Sequence, residues 1–393
     1  MPSAVIIDAV RSPMGRGKES GALAGLHPSD LLAQILHALV ERTGIDPAMI
    51  DDVLVGCVGQ AGEQSATPGR QALLAAGWPT SVPATTIERK CGSGQQAIDF
   101  AWQGVVAGAY DVVVAAGVES MSRVPMGSAR MAKDPHGPSV TARFPVLPPQ
   151  GVAAELVADR WGLSRTALDE YAARSHARAA HANDAGWFTG EIAPVSTGGQ
   201  RIAADETIRP GTTEAKLAAL APAFMVEPWR SHYPALGWKI TAGNSSQITD
   251  GAAAMLIVSE ERARALGLRP RARIVASAVV GDDPALMLTG PMPATAKVLT
   301  RAGLPIGAMA TVEVNEAFAS VPLAWQAEYP IPDERLNPLG GAIALGHPLG
   351  ASGVRLATTL LNHLERIGGR YGLQTMCEAG GMANATIFES LSD

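Results

Sequence analysis

Cys91 stands in Ile87-Glu88-Arg89-Lys90-Cys91-Gly92-Ser93-Gly94-Gln95-Gln96, between a strand-like segment and a helix-like one. A thiol at a helix N-terminus meets the positive end of the backbone dipole and unpaired N–H groups. These lower its pKa from ~8.5 toward ~3.5–7.5 and make it a nucleophile. A small buried cysteine at a tight turn fits the same residues. His347 lies among Gly341, Gly346, Gly350 and Gly353, with Pro348 directly after it. Glycines let a ligand approach the backbone closely, so His347 reads as a general base, or else as a turn histidine bonding its own loop. Cys377 ends a strand-like run over 373–376, where open α/β sheets place ligands. Asn315-Glu316 similarly follows the strand-like 311–314. Cys57 lies inside the apolar run 53–58 and reads as core.

The elements that must position these residues alternate along the chain. Short Val- and Ile-rich runs at 4–10, 52–58, 111–116, 252–258, 272–280 and 312–314 read as strands. Leu31, Leu32, Ile35, Leu36 and Leu39 mark one helical face behind Ser29 as N-cap. The pattern predicts an α/β architecture of buried, mostly parallel strands covered by helices. From about 119 to 249 the rhythm breaks into Pro/Gly-rich loops (124–150) and two helices (152–161 and 165–185), which reads as an insertion. That stretch carries 13 Lys/Arg and 12 Asp/Glu, a balance of +1, against 18 and 25, or −7, for the rest. The insertion is therefore the part better suited to an anionic ligand, although a solvated surface reads the same way. A faint duplication also shows. Ser93-Gly94 and Ser352-Gly353 each open an apolar helix that runs into a strand ending at Ala116-Gly117 and at Ala379-Gly380-Gly381. Two such halves would aim two Gly-rich helix starts at one site.

The 393 residues are 47% hydrophobic and 17% charged, which predicts two or three globular domains. The net charge of −6, with no basic run longer than Arg89-Lys90, gives no footprint for nucleic acid or a membrane surface. Three scattered cysteines without a CxxC pair predict neither a zinc framework nor a disulfide scaffold, and point to a reducing cytoplasm. His176 and His181 lie five apart, off one helical face, and make a poor metal site. No signal peptide or membrane span is readable near the start, and no GxSxG, GxxxxGK[ST] or HExxH occurs.

Taken together, several stretches resemble the thiolase family: Cys91-Gly92-Ser93-Gly94, Gly117-Val118-Glu119-Ser120-Met121-Ser122, Thr241-Ala242-Gly243-Asn244-Ser245-Ser246, Asp250-Gly251-Ala252-Ala253-Ala254, Asn315-Glu316-Ala317-Phe318-Ala319, 340–353 and 377–381. They stand in the family's order and span nearly the whole chain. The resemblance implies the thiolase fold, two similar βαβαβαββ halves in five αβαβα layers, with a loop domain inserted in the first. The halves would be 1–268, with the insertion at about 119–249, and 269–393. It implies a degradative 3-ketoacyl-CoA thiolase with Cys91 acylated, His347 as its base, Cys377 as acid and base toward the acetyl-CoA carbanion, and Asn315 holding an oxyanion-hole water with His347. A second oxyanion hole falls on Cys91 and Ala379. Ser246, Arg209, Phe318 and Ala317 match CoA-contacting positions. Coenzyme A would be a co-substrate, with no permanently bound cofactor and no metal.

The chain departs from the family pattern in three places. Ala379 stands for the first glycine of Cys-x-Gly-Gly-Gly, which a glycine-only backbone angle would exclude from the oxyanion hole. Ala383 also replaces a glycine. Pro149-Gln150-Gly151 replaces the usual His/Met-Gly, and with Gln95-Gln96 is similar to actinobacterial thiolases that shorten steroid side chains, implying a bulky acyl group. A biosynthetic acetyl-CoA C-acetyltransferase is the alternative, and a non-catalytic acyl-CoA binder on the same fold the distant one. A homodimer or homotetramer is expected, since a strand such as 111–116 left as a free sheet edge needs pairing. A hydratase/dehydrogenase partner subunit also fits the resemblance.

Overall fold

A computed structural model describes residues 3–392. The first half runs β1 (Ala4–Arg11), α1 (Pro28–Thr43), β2 (Asp52–Gly56), α2 (Pro68–Ala75), β3 (Ala84–Ile87), α3 (Ser93–Val106) and β4 (Val112–Ser120). The insertion follows, with α4 (Gln150–Arg160) and α5 (Arg165–Asp184), and β5 (Thr249–Ser259) closes the half. The second half repeats the plan with β6 (Ala272–Gly281), α6 (Pro291–Ala302), β7 (Met309–Val314), α7 (Ser320–Glu328), α8 (Leu349–Ile367), β8 (Tyr371–Glu378) and β9 (Met382–Ser390).

The strand order is β3-β2-β4-β5-β1 in one half and β7-β8-β9-β6 in the other. The counterpart of β3 shrinks to a single bridge, Val312 to Leu336. A two-residue ladder between β1 and β6 joins the halves edge to edge. Parallel pairing is confined to β2 with β3 and β4, and β7 with β8. All other pairs among these strands are antiparallel, which corrects the expectation of mostly parallel strands. The long apolar runs record burial on both faces, and helices cover both faces here whatever the strand direction.

Alternation along the strands assigns the layers. Val114, Ala116, Leu256 and Val258 face Ile35, Leu36 and Leu39 of α1. Val113, Ala115, Met255 and Ile257 face Ala97 and Ala101 of α3 and Val354 and Ala357 of α8. Beyond the second sheet, Ala385 and Ile387 pack with Ala294 and Val298 of α6 and Trp325 of α7. Five layers result, α3 and α8 forming the middle one. The insertion shares the second half's core: Ala153, Val157 and Tyr171 pack with Ala317, Phe318 and Val321.

Two helix starts differ from expectation. Helix α1 begins at Pro28 rather than behind Ser29, because proline suits the first helical position and the His27 side chain accepts from the Ser29 N–H. Helix α8 begins at Leu349, three residues before Ser352, once Pro348 sets its entry. The strand at 111–116 is no edge, since β2 and β5 flank it. The exposed edge of the first half is β3, which leads through the turn Glu88-Arg89-Lys90 to Cys91.

Helices α3 and α8 cross on glycine. A Cβ on Gly353 would lie 2.0 Å from the Gln95 backbone nitrogen, and one on Gly94 2.7 Å from the Gly350 carbonyl oxygen. Backbone cannot swing aside as a side chain can, so Gly353→Ala should force the middle layer apart and cost about 3 kcal/mol. A denaturant titration checks this, and a midpoint equal to the parent's would show that the crossing yields without cost.

Candidate active site

Cys91 is held by the turn between β3 and α3. Ser93 Oγ donates to the Lys90 carbonyl at 2.6 Å and accepts from the Arg89 N–H at 2.8 Å, while Lys90 takes a left-handed φ of 48°. The chain thereby reverses at Cys91, and Gly92 caps the helix. The thiol is enclosed by protein yet open to a cavity, so Cys91 remains partly exposed. The backbone N–H groups of Cys91 and Ala379 both reach its sulfur.

His347 enters from the loop before α8. Gly346 precedes it at φ 91°, and a Cβ there would lie 2.3 Å from Thr249 Oγ1. That hydroxyl receives the His347 N–H at 3.1 Å. The Ser352 hydroxyl donates to the Pro348 carbonyl at 2.9 Å, so it accepts from His347 Nδ1 at 2.6 Å. The network thus assigns the ring proton to Nδ1 and leaves Nε2 unprotonated, its lone pair on the side of the Asn315 amide. Nε2 lies 3.4 Å from Asn315 Nδ2. Burial, with Arg355 adding repulsion, pushes the His347 pKa down to about 3, so the ring is neutral at physiological pH.

Burial and then Glu378 push the Cys91 thiol up to about 12. This corrects the expectation that a helix N-terminus alone would activate it, because desolvation in a closed site outweighs the dipole. The resting thiol holds its proton and needs a neutral base. Burial, then the neighbouring Cys91, likewise pushes Cys377 well up. Cys91, His347, Cys377 and Ala379 line one cavity of about 360 Å³, with Ser246, Ala317 and Phe318 along its apolar wall.

Ala379 stays outside the left-handed region; Gly380 and Gly381 take φ 94° and 75° instead. The alanine therefore presents its N–H to Cys91 without strain, and the expected penalty does not arise. Ala383 is accommodated by Gly290, where a Cβ would come within 2.8 Å of its methyl. Arg209 is exposed and bonds Gln247, a cavity residue, at 2.8 Å. Cys57 is buried, as a core residue should be. His176 accepts from the Arg209 N–H and His181 meets Trp187 edge to face; among the described residues no His, Cys, Asp or Glu cluster could hold a metal.

The thiolase N-terminal domain family matches residues 4–261 and its C-terminal domain family residues 268–390. The chain belongs to the thiolase family. It is 47% identical to the steroid 3-ketoacyl-CoA thiolase FadA6 of Mycobacterium tuberculosis, over 100% of this chain and 95% of that one. It is 45% identical to a 3-ketoacyl-CoA thiolase of Serratia proteamaculans, over 99% and 100% respectively. The crystal structure of the Bacillus anthracis acetyl-CoA acetyltransferase superposes with a TM-score of 0.88 at 36% identity, covering 100% of this chain and 99% of that one.

Several residues that hold this thiolase site together escaped the reading of its sequence as functional positions. Glu119 accepts from the Val58, Gly59 and Gly350 N–H groups and from Gln64 Nε2, all within 2.9 Å, tying the loop after β2 to the start of α8. Glu316 accepts from Tyr171, Ser175 and the Ile343 N–H, locking α5 and the His347 loop around Asn315. Both stood inside recognisable motifs, but their partners come from distant segments. Glu378 projects from β8 against Gly92 and the turn carrying Cys91, and burial pushes its carboxyl up to about 8. It carries a proton at pH 7 and a charge at pH 9. Glu378→Gln should therefore speed iodoacetamide alkylation of Cys91 several-fold at pH 9 and little at pH 7. Equal rates at pH 9 would remove Glu378 from the control of the thiol.

Proposed function

We propose that this thiolase works in the degradative direction, cleaving 3-ketoacyl-CoA with free CoA to acetyl-CoA and an acyl-CoA shortened by two carbons. The supporting observation is the single cavity that brings Cys91, His347 and Cys377 together with the Ala379 N–H on the sulfur. His347 Nε2 takes the Cys91 proton, and the thiolate adds to the C3 carbonyl. The C2–C3 bond then breaks and its electron pair leaves as the acetyl-CoA enolate. The enolate oxygen is held by the protonated His347 and by a water on Asn315, and C2 takes a proton from Cys377. In the second half-reaction Cys377 receives the proton of the incoming CoA thiol, whose sulfur attacks the acyl-enzyme. The N–H groups of Cys91 and Ala379 hold the tetrahedral oxyanion, and Cys91 leaves and recovers its proton from His347. CoA is a co-substrate lying along Ser246, Ala317 and Phe318 with Arg209 outside; the reaction calls for no resident cofactor or metal.

A bulky acyl group, such as a steroid side chain, is the favoured substrate. Beside the cavity, two further chambers of about 240 and 540 Å³ are both lined by Gln150, and a relative is named for steroid 3-ketoacyl-CoA. Assays of CoA-dependent cleavage across 3-ketoacyl-CoA esters of graded size test this. The alternative biosynthetic role is supported if acetoacetyl-CoA is the best substrate and is formed readily from acetyl-CoA.

The exposed edge β3 supports a homodimer, paired across a two-fold axis. Sedimentation equilibrium should return two 40.6 kDa chains or a multiple, and an active single chain would contradict it. Three free thiols suit a cytoplasmic location, and among the described residues no helix is long and apolar enough to cross a membrane.

A further inference from the structure

Gln95-Gln96 stands directly after the Cys91 motif, yet neither residue lines any of the three chambers around that thiol. Both side chains are buried. Gln95 lies in the first turn of α3, four residues after Cys91, and its backbone nitrogen is the atom that a Cβ on Gly353 of α8 would strike. Its side chain meets Gln374 of β8 and Thr386 of β9, which are direct partners across the antiparallel ladder and are buried as well.

The bonds at this junction have one consistent direction. The Thr386 hydroxyl donates to Asp99 Oδ1 at 2.8 Å, so it accepts from Gln95 Nε2, also at 2.8 Å. That orients the Gln95 amide. Its Oε1 accepts from Gln374 Nε2 at 3.0 Å, and its Nε2 also reaches the Gln374 carbonyl at 3.4 Å. Gln374 Nε2 donates as well to the Gly353 carbonyl at 2.8 Å. Gly353 follows Ser352, which accepts from His347 Nδ1, and Gln374 stands three residues before Cys377 in β8. Two residues before Thr386, Asn384 Nδ2 donates to the Gly92 carbonyl at 3.0 Å, beside Cys91. One buried amide therefore ties together, directly or through Gln374, the elements that carry all three side chains proposed to react.

Apolar side chains of similar volume would fill this crossing without the cost of desolvating amides. What the amides add is direction, since a hydrogen bond holds only over a narrow range of distance and angle. Groups brought in by three separate elements gain from such a device, because a misplacement of about 1 Å far from the chemistry can cost ~10² in rate. We propose that Gln95 is a positioning residue for thiolysis, its amide holding α3, α8 and the β8-β9 pair in the register that sets the spacing of Cys91, His347 and Cys377. The proposal rests on the roles given above to those three residues and adds what fixes their spacing.

The test measures steady-state cleavage of a 3-ketoacyl-CoA by Gln95→Met, Thr386→Val and the double variant, each on protein whose circular dichroism matches the parent's. Gln95→Met keeps most of the volume and leaves Gln374 its bond to Gly353 and Thr386 its bond to Asp99. It should lower kcat by roughly 10–100-fold, with KM for both substrates within about twofold of the parent's. Thr386→Val removes the acceptor at the other end of the same bond and should lower kcat in the same way. The double variant should be no slower than the slower single one, since both changes break one chain. Where Gln95→Met yields no folded protein, Thr386→Val decides the question. A kcat within about twofold of the parent's in the folded variants overturns the proposal. So does a raised KM at unchanged kcat, which would assign Gln95 to substrate binding, and so do losses that multiply in the double variant, which would make them two separate packing defects. A parent protein that cleaves no 3-ketoacyl-CoA overturns the degradative reading itself and the proposal with it.

Discussion

Cys91→Ala should fold as the parent does and lose thiolysis by ~10⁶, the scale on which an enzyme loses rate when its covalent nucleophile is removed. The side chain opens to the cavity instead of filling a core, so truncation leaves the glycine crossing of α3 and α8 untouched. Cys57→Ala is the control, because Cys57 is buried beneath Gly350 and away from the cavity lining. It should cost stability and leave turnover per folded molecule near the parent's. Initial rates with matched circular dichroism check both. Retention of more than a hundredth of the rate by Cys91→Ala would remove Cys91 from the covalent role.

His347→Ala should lower kcat by roughly 10²–10⁴, the contribution of a positioned general base, and by more where the oxyanion contact goes with it. The physical reason is the mismatch between a thiol pushed up to about 12 and the pH at which it must react. A thiol that keeps its proton needs an acceptor at hand, and His347, held neutral by burial, has a lone pair that can take the proton as the sulfur adds to the carbonyl. Iodoacetamide alkylation of Cys91 at pH 7 should slow in parallel. The parent's alkylation should not fall off between pH 8 and pH 5 through protonation of His347, because the ring stays neutral far below that range. Unchanged alkylation in His347→Ala would return the activation of Cys91 to the helix N-terminus alone.

The side chains proposed to react were legible because each is framed by local residues that shape its turn. Gly92 and Ser93 shape the Cys91 turn, Gly346 and Pro348 shape that of His347, and Gly380-Gly381 follows Cys377. The two glycine helix starts were legible as aimed at one place, and Gly94 and Gly353 do meet there. Strand direction was not legible, because double-sided burial writes the same apolar run in parallel and antiparallel strands. The ionisation of Cys91 was misread for a related reason. The dipole of α3 is a local feature, whereas Glu378 arrives from the other half of the chain and the walls that desolvate the thiol from distant segments of both halves. Glu119 and Glu316 act through backbone N–H groups of remote loops, and no spacing in the sequence announces such partners. The consequence of Ala379 was decided by a backbone angle, visible only once Gly380 and Gly381 were seen to carry the left-handed turn.

The most direct test of the account is a single turnover without free CoA. The protein is mixed with an excess of 3-ketoacyl-CoA, quenched in acid, digested and analysed by mass spectrometry. The account predicts one acetyl-CoA released per active site and one acyl group, shortened by two carbons, on the peptide containing Cys91, discharged when CoA is added before the quench. An acyl group on Cys57 or Cys377, or cleavage that leaves none on the protein, would contradict it.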